Sequence, residues 1–337
     1  MVDHLEKIHQ KFNELATNAK LGILPNELDL FELIEKIISI YKLPDVSGLV
    51  EAPQPAIPVV VVPDIHARAD YLLSVFDYKL PDTIFSGTVL EALNQEKISV
   101  VCVGDGFHGE GRVKNRWKDA YKKYLEGKAT SSSLNTEMAE SLSVMCMVME
   151  AKCAFPRYFH FLKGNHENIL NEEGHGNHPF RKFAMEGEMV YHFMLAEFGK
   201  EIIDLYAEFE HLLPLVFKSQ NLLISHAEPV RPFTVQEIKD GRNNNETILG
   251  LTWTGNNEAE EDSVCTMLKT WLPDVPDAIY IGGHRPVTGK YLLRCKGKYF
   301  QIHNPDTWPI AIVRPNRKFN PQTDIVYTDK NHTIANI

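Results

Sequence analysis

The sequence lacks a disulfide framework, a membrane-length apolar run and any excess of positive charge. Its cysteines, Cys102, Cys146, Cys153, Cys265 and Cys295, are odd in number and scattered, with no CxxC pair. Contexts such as SVVCVG and VMCMVM mark most of them as small buried hydrophobes rather than bridges. No apolar stretch approaches the roughly 18 residues of a membrane span, and the opening MVDHLEKIHQ is charged rather than signal-like. A cytoplasmic location with no membrane partner is the expectation. Lys and Arg total 35 against 45 Asp and Glu, a formal charge of -10. That balance argues against an electrostatic grip on nucleic acid and suits bound divalent cations. No repeat of fixed period is visible.

What is present suffices for a sizeable core. The 337 residues are 44% hydrophobic and 24% charged, near globular averages. Residues 1 to 42 carry helical stripes, Leu5, Ile8, Phe12 and Leu15, then Leu30, Phe31, Ile34, Ile37 and Ile38. Leu43 to Pro58 gathers Pro44, Gly48, Pro53 and Pro55 and reads as a linker. The expected organisation is a helical extension and linker over 1 to 50, then one domain over 51 to 337.

From Ile57 onward, short apolar runs alternate with helical patterns. IPVVVVPDIHA, ISVVCVGDGFHGEGR and YFHFLKGNHEN each read as strand then loop. Helix is expected after each, from about Val113 to Ala154 in the second case and to about Phe209 in the third. Such units imply a largely parallel sheet with helices packed on it. HLLPLVFK and NLLISHAEP, separated by Ser219 and Gln220, read as a hairpin. A helix near Ser263 to Leu272 and strands at AIYIGG, KYLLRC, KYFQIH and IAIVR complete the reading. Arg242 to Asn245 and Glu258 to Asp262 read as solvated loops.

Polar residues end these runs: Asp64 and His66, Asp105, Asn165 and His166, His226, then His284. In α/β sheets, ligands bind beyond the carboxyl ends of strands, so separate segments deliver these groups to one crevice. Asp64 and His66, two apart in an extended segment, would face the same ion. Asp105, after the tight-turning Gly104, has two oxygens with which to bridge two cations. Asn165 is a neutral amide ligand, which limits negative charge where an anionic substrate must bind. Two metals in such a crevice would polarise a phosphoryl oxygen and acidify a water.

VVPDIHA, VGDGFHGEGR, LKGNHEN, ISHAEP and GGHRP, in this order, resemble the five motifs of calcineurin-like metallophosphoesterases, which include Ser/Thr protein phosphatases and diadenosine tetraphosphatases. The resemblance spans roughly residues 58 to 313. It implies a four-layer α/β/β/α sandwich of two mixed sheets flanked by helices. It further implies Asp64, His66 and Asp105 as ligands of a first metal, and Asp105, Asn165, His226 and His284 as ligands of a second. The ions would be manganese or iron, with zinc or cobalt as alternatives. His166 matches the histidine that contacts phosphate and protonates the leaving oxygen. The implied reaction is attack of metal-bound hydroxide on a phosphorylated substrate, with a Ser/Thr-phosphatase-like phosphomonoesterase as the leading reading. Dinucleoside polyphosphate hydrolysis is the alternative, with Phe107, Phe180 and Trp253 as candidates for a base-binding wall. A catalytically silent scaffold, recruiting a partner protein through its N-terminal helices, is the alternative of another class.

Two departures matter. The protein-phosphatase branch reads GDxxDRG where this chain has His108, Gly109 and Glu110. Glu110 is then expected to support His166, and Arg112 to reach the phosphate. The first motif, Pro63-Asp64-Ile65-His66-Ala67, also lacks its flanking glycines, which predicts a stiffer loop. Arg285 is a candidate substrate contact. His160 is expected to be structural, and His303 is divided evenly between crevice and structural roles. Glu172, Glu173, His175 and His178 are expected to form a polar loop beside the site, with the helix after Pro179 as its lid.

Overall fold

Runs of β-branched and aromatic residues, buried on both faces, form the inner strands of the computed structural model. It describes residues 4–43, 47–54 and 56–328. Pro44 and Pro55 of the expected linker, and the end of the expected second domain, lie outside these. The strands are β1 (Leu49–Glu51), β2 (Val59–Val62), β3 (Ser99–Cys102), β4 (Phe159–Phe161), β5 (Val216–Lys218) and β6 (Leu222–Ser225). They continue with β7 (Ile279–Gly282), β8 (Leu292–Arg294), β9 (Tyr299–Gln301), β10 (Pro309–Val313) and β11 (Ile325–Tyr327).

Two mixed sheets result, ordered β11-β10-β2-β3-β4 and β1-β5-β6-β7-β9-β8. In the first, β2, β3 and β4 are parallel and β10 and β11 antiparallel. In the second, β5 and β6 form the expected hairpin, closed by Ser219 N–H to the Leu222 carbonyl at 2.9 Å. Alternation along β2 and β3 sorts side chains between layers. Val59, Val61, Val101 and Val103 meet Phe217, Leu222, Ile224 and Ile281 between the sheets. Val60, Val62, Val100 and Cys102 face the helices.

That helical layer comprises α1 (His4–Leu21), α2 (Glu27–Tyr41), α3 (Ala69–Asp77), α4 (Val89–Asn94), α5 (Lys114–Leu125), α6 (Ser132–Ala154) and α7 (Glu186–Leu212). The outer face of the second sheet is covered by α8 (Val235–Lys239), α9 (Asn245–Thr252) and α10 (Ser263–Trp271). The order is therefore helices, sheet, sheet, helices. The stripe Phe12, Leu15, Leu30, Ile34, Ile37 and Ile38 is buried in the same core as α6 and α7, so it is not free for a partner. Among the described residues, no helix is long and apolar enough to cross a membrane.

Several boundaries differ from the sequence reading. The expected linker contains β1, which pairs parallel to β5. The long helix from Val113 splits into α5 and α6, because Ser131 caps a new start by accepting from the Leu134 N–H. No helix follows β4 directly: residues 162–185 are irregular, and α7 is interrupted at Gly199, where φ is 76°. Arg242 to Asn245 is not a plain loop but a 3₁₀ turn running into α9. Cys102 and Cys146 are buried and all five cysteines are free thiols.

Candidate metal centre

Parallel β2, β3 and β4, with β6 and β7 of the facing sheet, all end at one crevice. Asp64 and His66 follow β2, Asp105 follows β3, Asn165 and His166 follow β4, His226 follows β6 and His284 follows β7. The backbone here is bent to a degree unusual for residues other than glycine. His66, Ala67, Asp105, His108 and His284 have φ of 47°, 57°, 54°, 64° and 64°. Such conformations cost free energy and persist where the surroundings impose them, which is typical of functional sites. His66 therefore reaches Asp64 not through strand alternation, as expected, but through a left-handed turn held by its N–H to the Asp105 carbonyl at 2.8 Å. Ala67 takes up the left-handed conformation where the resembling motif has glycine.

Asp105 lies at the centre. Its Oδ2 is 3.7 Å from His66 Nε2, 3.7 Å from His166 Nε2 and 3.5 Å from His226 Nε2. On one side, Asp64 Oδ2 is 3.9 Å from His66 Nε2. On the other, Asn165 Oδ1 is 3.0 Å from His226 Nε2 and 2.9 Å from His284 Nδ1. The His284 N–H binds both Asp64 oxygens, at 3.2 and 3.0 Å, and ties the two sheets together at the site. Gly283 permits this approach, since a Cβ there would collide with Asp64 Oδ1.

The donor set fits a pair of cations. His66 donates Nδ1–H to the His108 carbonyl at 3.0 Å, and His226 donates Nδ1–H to the Val103 carbonyl at 3.1 Å. Because a carbonyl only accepts, each ring keeps its Nε2 lone pair for the crevice. Burial holds His66 down to about 4 and His226 below its ordinary value, so both rings are neutral at pH 7 and able to act as ligands. Burial, joined by the carboxylates of Glu167 and Asp64, pushes the Asp105 carboxyl well above its usual range. A carboxylate in that position calls for a bound cation. Candidate groups include Asp64, Asp105 and His226, and His66, Asp105 and His166, with ligand atoms within 4.8 Å of one another.

Above these groups opens a cavity of about 300 Å³, lined by His66, His108, Glu110, Asn165, His166 and His284, with Pro179 to Lys182, Trp253, Arg285 and Pro286 at its walls. Phe180 packs edge-on against His166, ring centroids 4.0 Å apart, and Trp253 lies against His178. Phe107 is instead buried against Tyr206. His166 Nδ1 is buried without a hydrogen-bond partner. Burial, with the nearby rings of His66 and His108, holds this imidazole well below its ordinary value.

The two expected substitutes for the missing motif residues are bonded to other partners. Glu110 is bonded to Arg68 and to His303 Nε2, and among the described residues no hydrogen bond or ion pair links it to His166. Burial alone would raise its carboxyl, but His66, the bond from His303, and Arg68 hold it well below its usual range. Arg112 donates to the Ala67 carbonyl at 3.1 Å and to Glu140 at 2.8 Å and lines a different cavity beside α1. Its charge is already engaged there.

His303, left open by the sequence, is buried in the crevice, its Nδ1 3.9 Å from Asp64 Oδ2. His160 is structural, its Nε2–H given to the Arg157 carbonyl. Glu172 with His175, and Glu173 with His178, form two separate pairs. Glu167 was missed. It is buried and accepts the N–H groups of Asp105, Gly106 and Gly164 at 3.0, 2.9 and 2.7 Å. Its position directly after His166 was the only available signal.

A family model described as calcineurin-like phosphoesterase matches residues 57–288. A search of curated protein sequences found no match. Among solved structures, a protein serine/threonine phosphatase from Saccharomyces cerevisiae, described as similar to human phosphatase PP5, superposes with a TM-score of 0.60 at 15% identity, covering 90% of each chain. A cold-active protein-tyrosine phosphatase of a psychrophilic Shewanella gives a TM-score of 0.46 at 13% identity, covering 83% of this chain and 80% of that one. At such identities the first likeness speaks to the fold, where it agrees with the four layers described above.

Proposed function

Because the chain belongs to the calcineurin-like phosphoesterases, we propose that it is a metal-dependent hydrolase of phosphate monoesters, acting in the manner of a Ser/Thr phosphatase. The observation that carries this reading is the convergence of Asp64, His66, Asp105, Asn165, His226 and His284 beneath a cavity walled by Arg181, Lys182 and Arg285. Anionic and neutral ligands lie below, and cations wait above for an anion.

Asp64, His66 and Asp105 would hold a first ion, and Asp105, Asn165, His226 and His284 a second. Bound there, two transition-metal ions such as manganese or iron would polarise the phosphoryl group and acidify a water between them. The protein's own groups do the rest. Arg285 and Arg181 meet the phosphoryl oxygens as planar donors. His166 stands over Asp105 with its ring fixed by Phe180, where it can hand a proton to the departing oxygen. A phosphate dianion beside it opposes the burial penalty and favours the protonated ring.

The cavity is at the small end of ligand pockets, which favours a monoester over a large dinucleotide. Phe180 and Trp253 on its wall favour the second reading, a dinucleoside polyphosphate. Manganese-dependent hydrolysis of an aryl phosphate, an aryl phosphodiester, a phosphopeptide and a dinucleoside polyphosphate separates the two. Inactivity on all four across several metals would leave the silent scaffold standing.

The charges on the cavity wall give a contrast between two arginines. Arg285→Ala should raise the KM for an aryl phosphate about tenfold, the cost of one charge-assisted contact. Arg112→Ala should leave that KM unchanged, because its guanidinium is occupied by the Ala67 carbonyl and Glu140. Steady-state kinetics on both variants check it, and a raised KM in the second alone would return Arg112 to the substrate.

A further inference from the structure

Glu110 and His303 have no task in the scheme above, yet both are buried, Glu110 beside His66 and His303 beside Asp64. We propose that His303 is a further protein ligand of the first metal position, through Nδ1, with Glu110 and Arg68 as the residues that position it. The proposal rests on the reading of Asp64, His66 and Asp105 as a metal site.

Three observations carry it. His303 Nδ1 is buried and has no hydrogen-bond partner. It lies 3.9 Å from Asp64 Oδ2, and Asp64, His66 and His303 form a group whose ligand atoms lie within 4.8 Å of one another. The opposite nitrogen, Nε2, is 3.1 Å from Glu110 Oε1. An ionised carboxylate only accepts, so Nε2 carries a proton toward Glu110 and Nδ1 is the nitrogen left to face an ion.

An unpaired buried polar atom is costly, so a buried ring nitrogen left open calls for a partner. Here the pairing is one-sided, and the open side faces two other candidate ligands. The support behind the ring is built in depth. Glu110 is held by the buried guanidinium of Arg68. The backbone of His303 is pinned by the Val287 N–H to its carbonyl at 2.8 Å, and Ile302 N–H binds the Gly282 carbonyl at 3.0 Å. These bonds fix the end of β9 beside the end of β7, the strand that delivers His284. A carboxylate behind a ligating imidazole fixes its orientation and raises its basicity. The Glu of the divergent second motif thus gains a role that the missing aspartate would not have had. Two imidazoles with the carboxylates of Asp64 and Asp105 also favour a transition metal over magnesium at this position.

The test is a cobalt(II) titration of the metal-stripped full chain, followed by calorimetry and by visible ligand-field absorption. Wild type should bind two ions. His303→Ala should weaken one of them about 10–100-fold or more, with a changed spectrum, and leave the other at wild-type affinity. Glu110→Gln should weaken the same ion in the same direction by less. Circular dichroism of the stripped proteins reports folding. If His303→Ala does not fold, His303→Phe, which fills the space without a donor atom, is read in its place. Two ions at wild-type affinity in a folded His303 variant would overturn the assignment while leaving the metal centre intact. A wild type that binds no cobalt would overturn the metal centre, and this proposal with it.

Discussion

Replacing His166 with asparagine should lower turnover of an aryl phosphate by about 10²–10⁴-fold, the range expected for loss of a proton-transfer group, with metal content unchanged. In the proposed ligand set the His166 side chain holds neither ion. Its Nε2 stands 3.7 Å from Asp105 Oδ2, and its Nδ1 is unpaired at the cavity. The contact that does hold the centre comes from its backbone, the N–H given to Asp105 Oδ1 at 3.0 Å, and asparagine keeps that bond. Loss of turnover with two ions retained, measured by elemental analysis of the same sample, places His166 in the chemistry. Turnover at the wild-type level would remove it, and loss of both metals together with turnover would make it a structural residue.

The legible parts of the site are those that local sequence determines. A run such as VVVV ending in a polar residue predicts a buried strand with a functional group at its carboxyl end, and β2, β3, β4, β6 and β7 each follow that rule. The hairpin of β5 and β6 was legible because its turn is short. What escaped depended on partners far away in the chain. β1 is too brief to show a pattern and exists because β5 offers it an edge. Proximity to Asp105 in sequence points Glu110 toward His166, whereas its partners, Arg68 and His303, arrive from just before α3 and just after β9. His303 sits 193 residues from Glu110, and nothing in QIHNPD announces the pairing.

The same distinction explains the first loop. Without glycines, the segment after β2 was expected to be stiff, and it is held in a conformation that glycine would adopt more easily, with His66 and Ala67 both at positive φ. Fixed bonds to the neighbouring loop compensate: the Ile65 and His66 N–H groups share the Asp105 carbonyl at 3.2 and 2.8 Å, and the Ala67 N–H binds the Gly106 carbonyl at 2.8 Å. Asp64 and His66, the proposed ligands of the first position, are thus set by the loop of Asp105. Whatever orders the Asp105 loop orders the whole centre.

Glu167 is that ordering residue, and Glu167→Ala should destabilise the chain by about 3 kcal/mol, the scale of several buried donors left without an acceptor. Its carboxylate collects the N–H groups of Asp105 and Gly106 from the loop after β3 and of Gly164 from the loop after β4. Those two loops carry Asp105, the proposed shared ligand, and Asn165, so one side chain sets their separation. The closeness is enforced from both directions, since a Cβ on Gly164 would collide with Asp105 Oδ1. Burial raises the Glu167 carboxyl, while the three N–H groups and Lys163 oppose that rise, so deletion also removes an expensive buried charge and the loss stays below the sum of the bonds. Urea denaturation of the metal-stripped protein measures the change, and an unfolding free energy within about 0.5 kcal/mol of wild type would reject the role. Glu167→Gln adds a sharper reading: its amide turns one acceptor into a donor facing an N–H, so it should weaken cobalt binding at both positions even where the fold survives. Such a double loss is what separates a residue that sets the spacing of two loops from one that serves a single ligand.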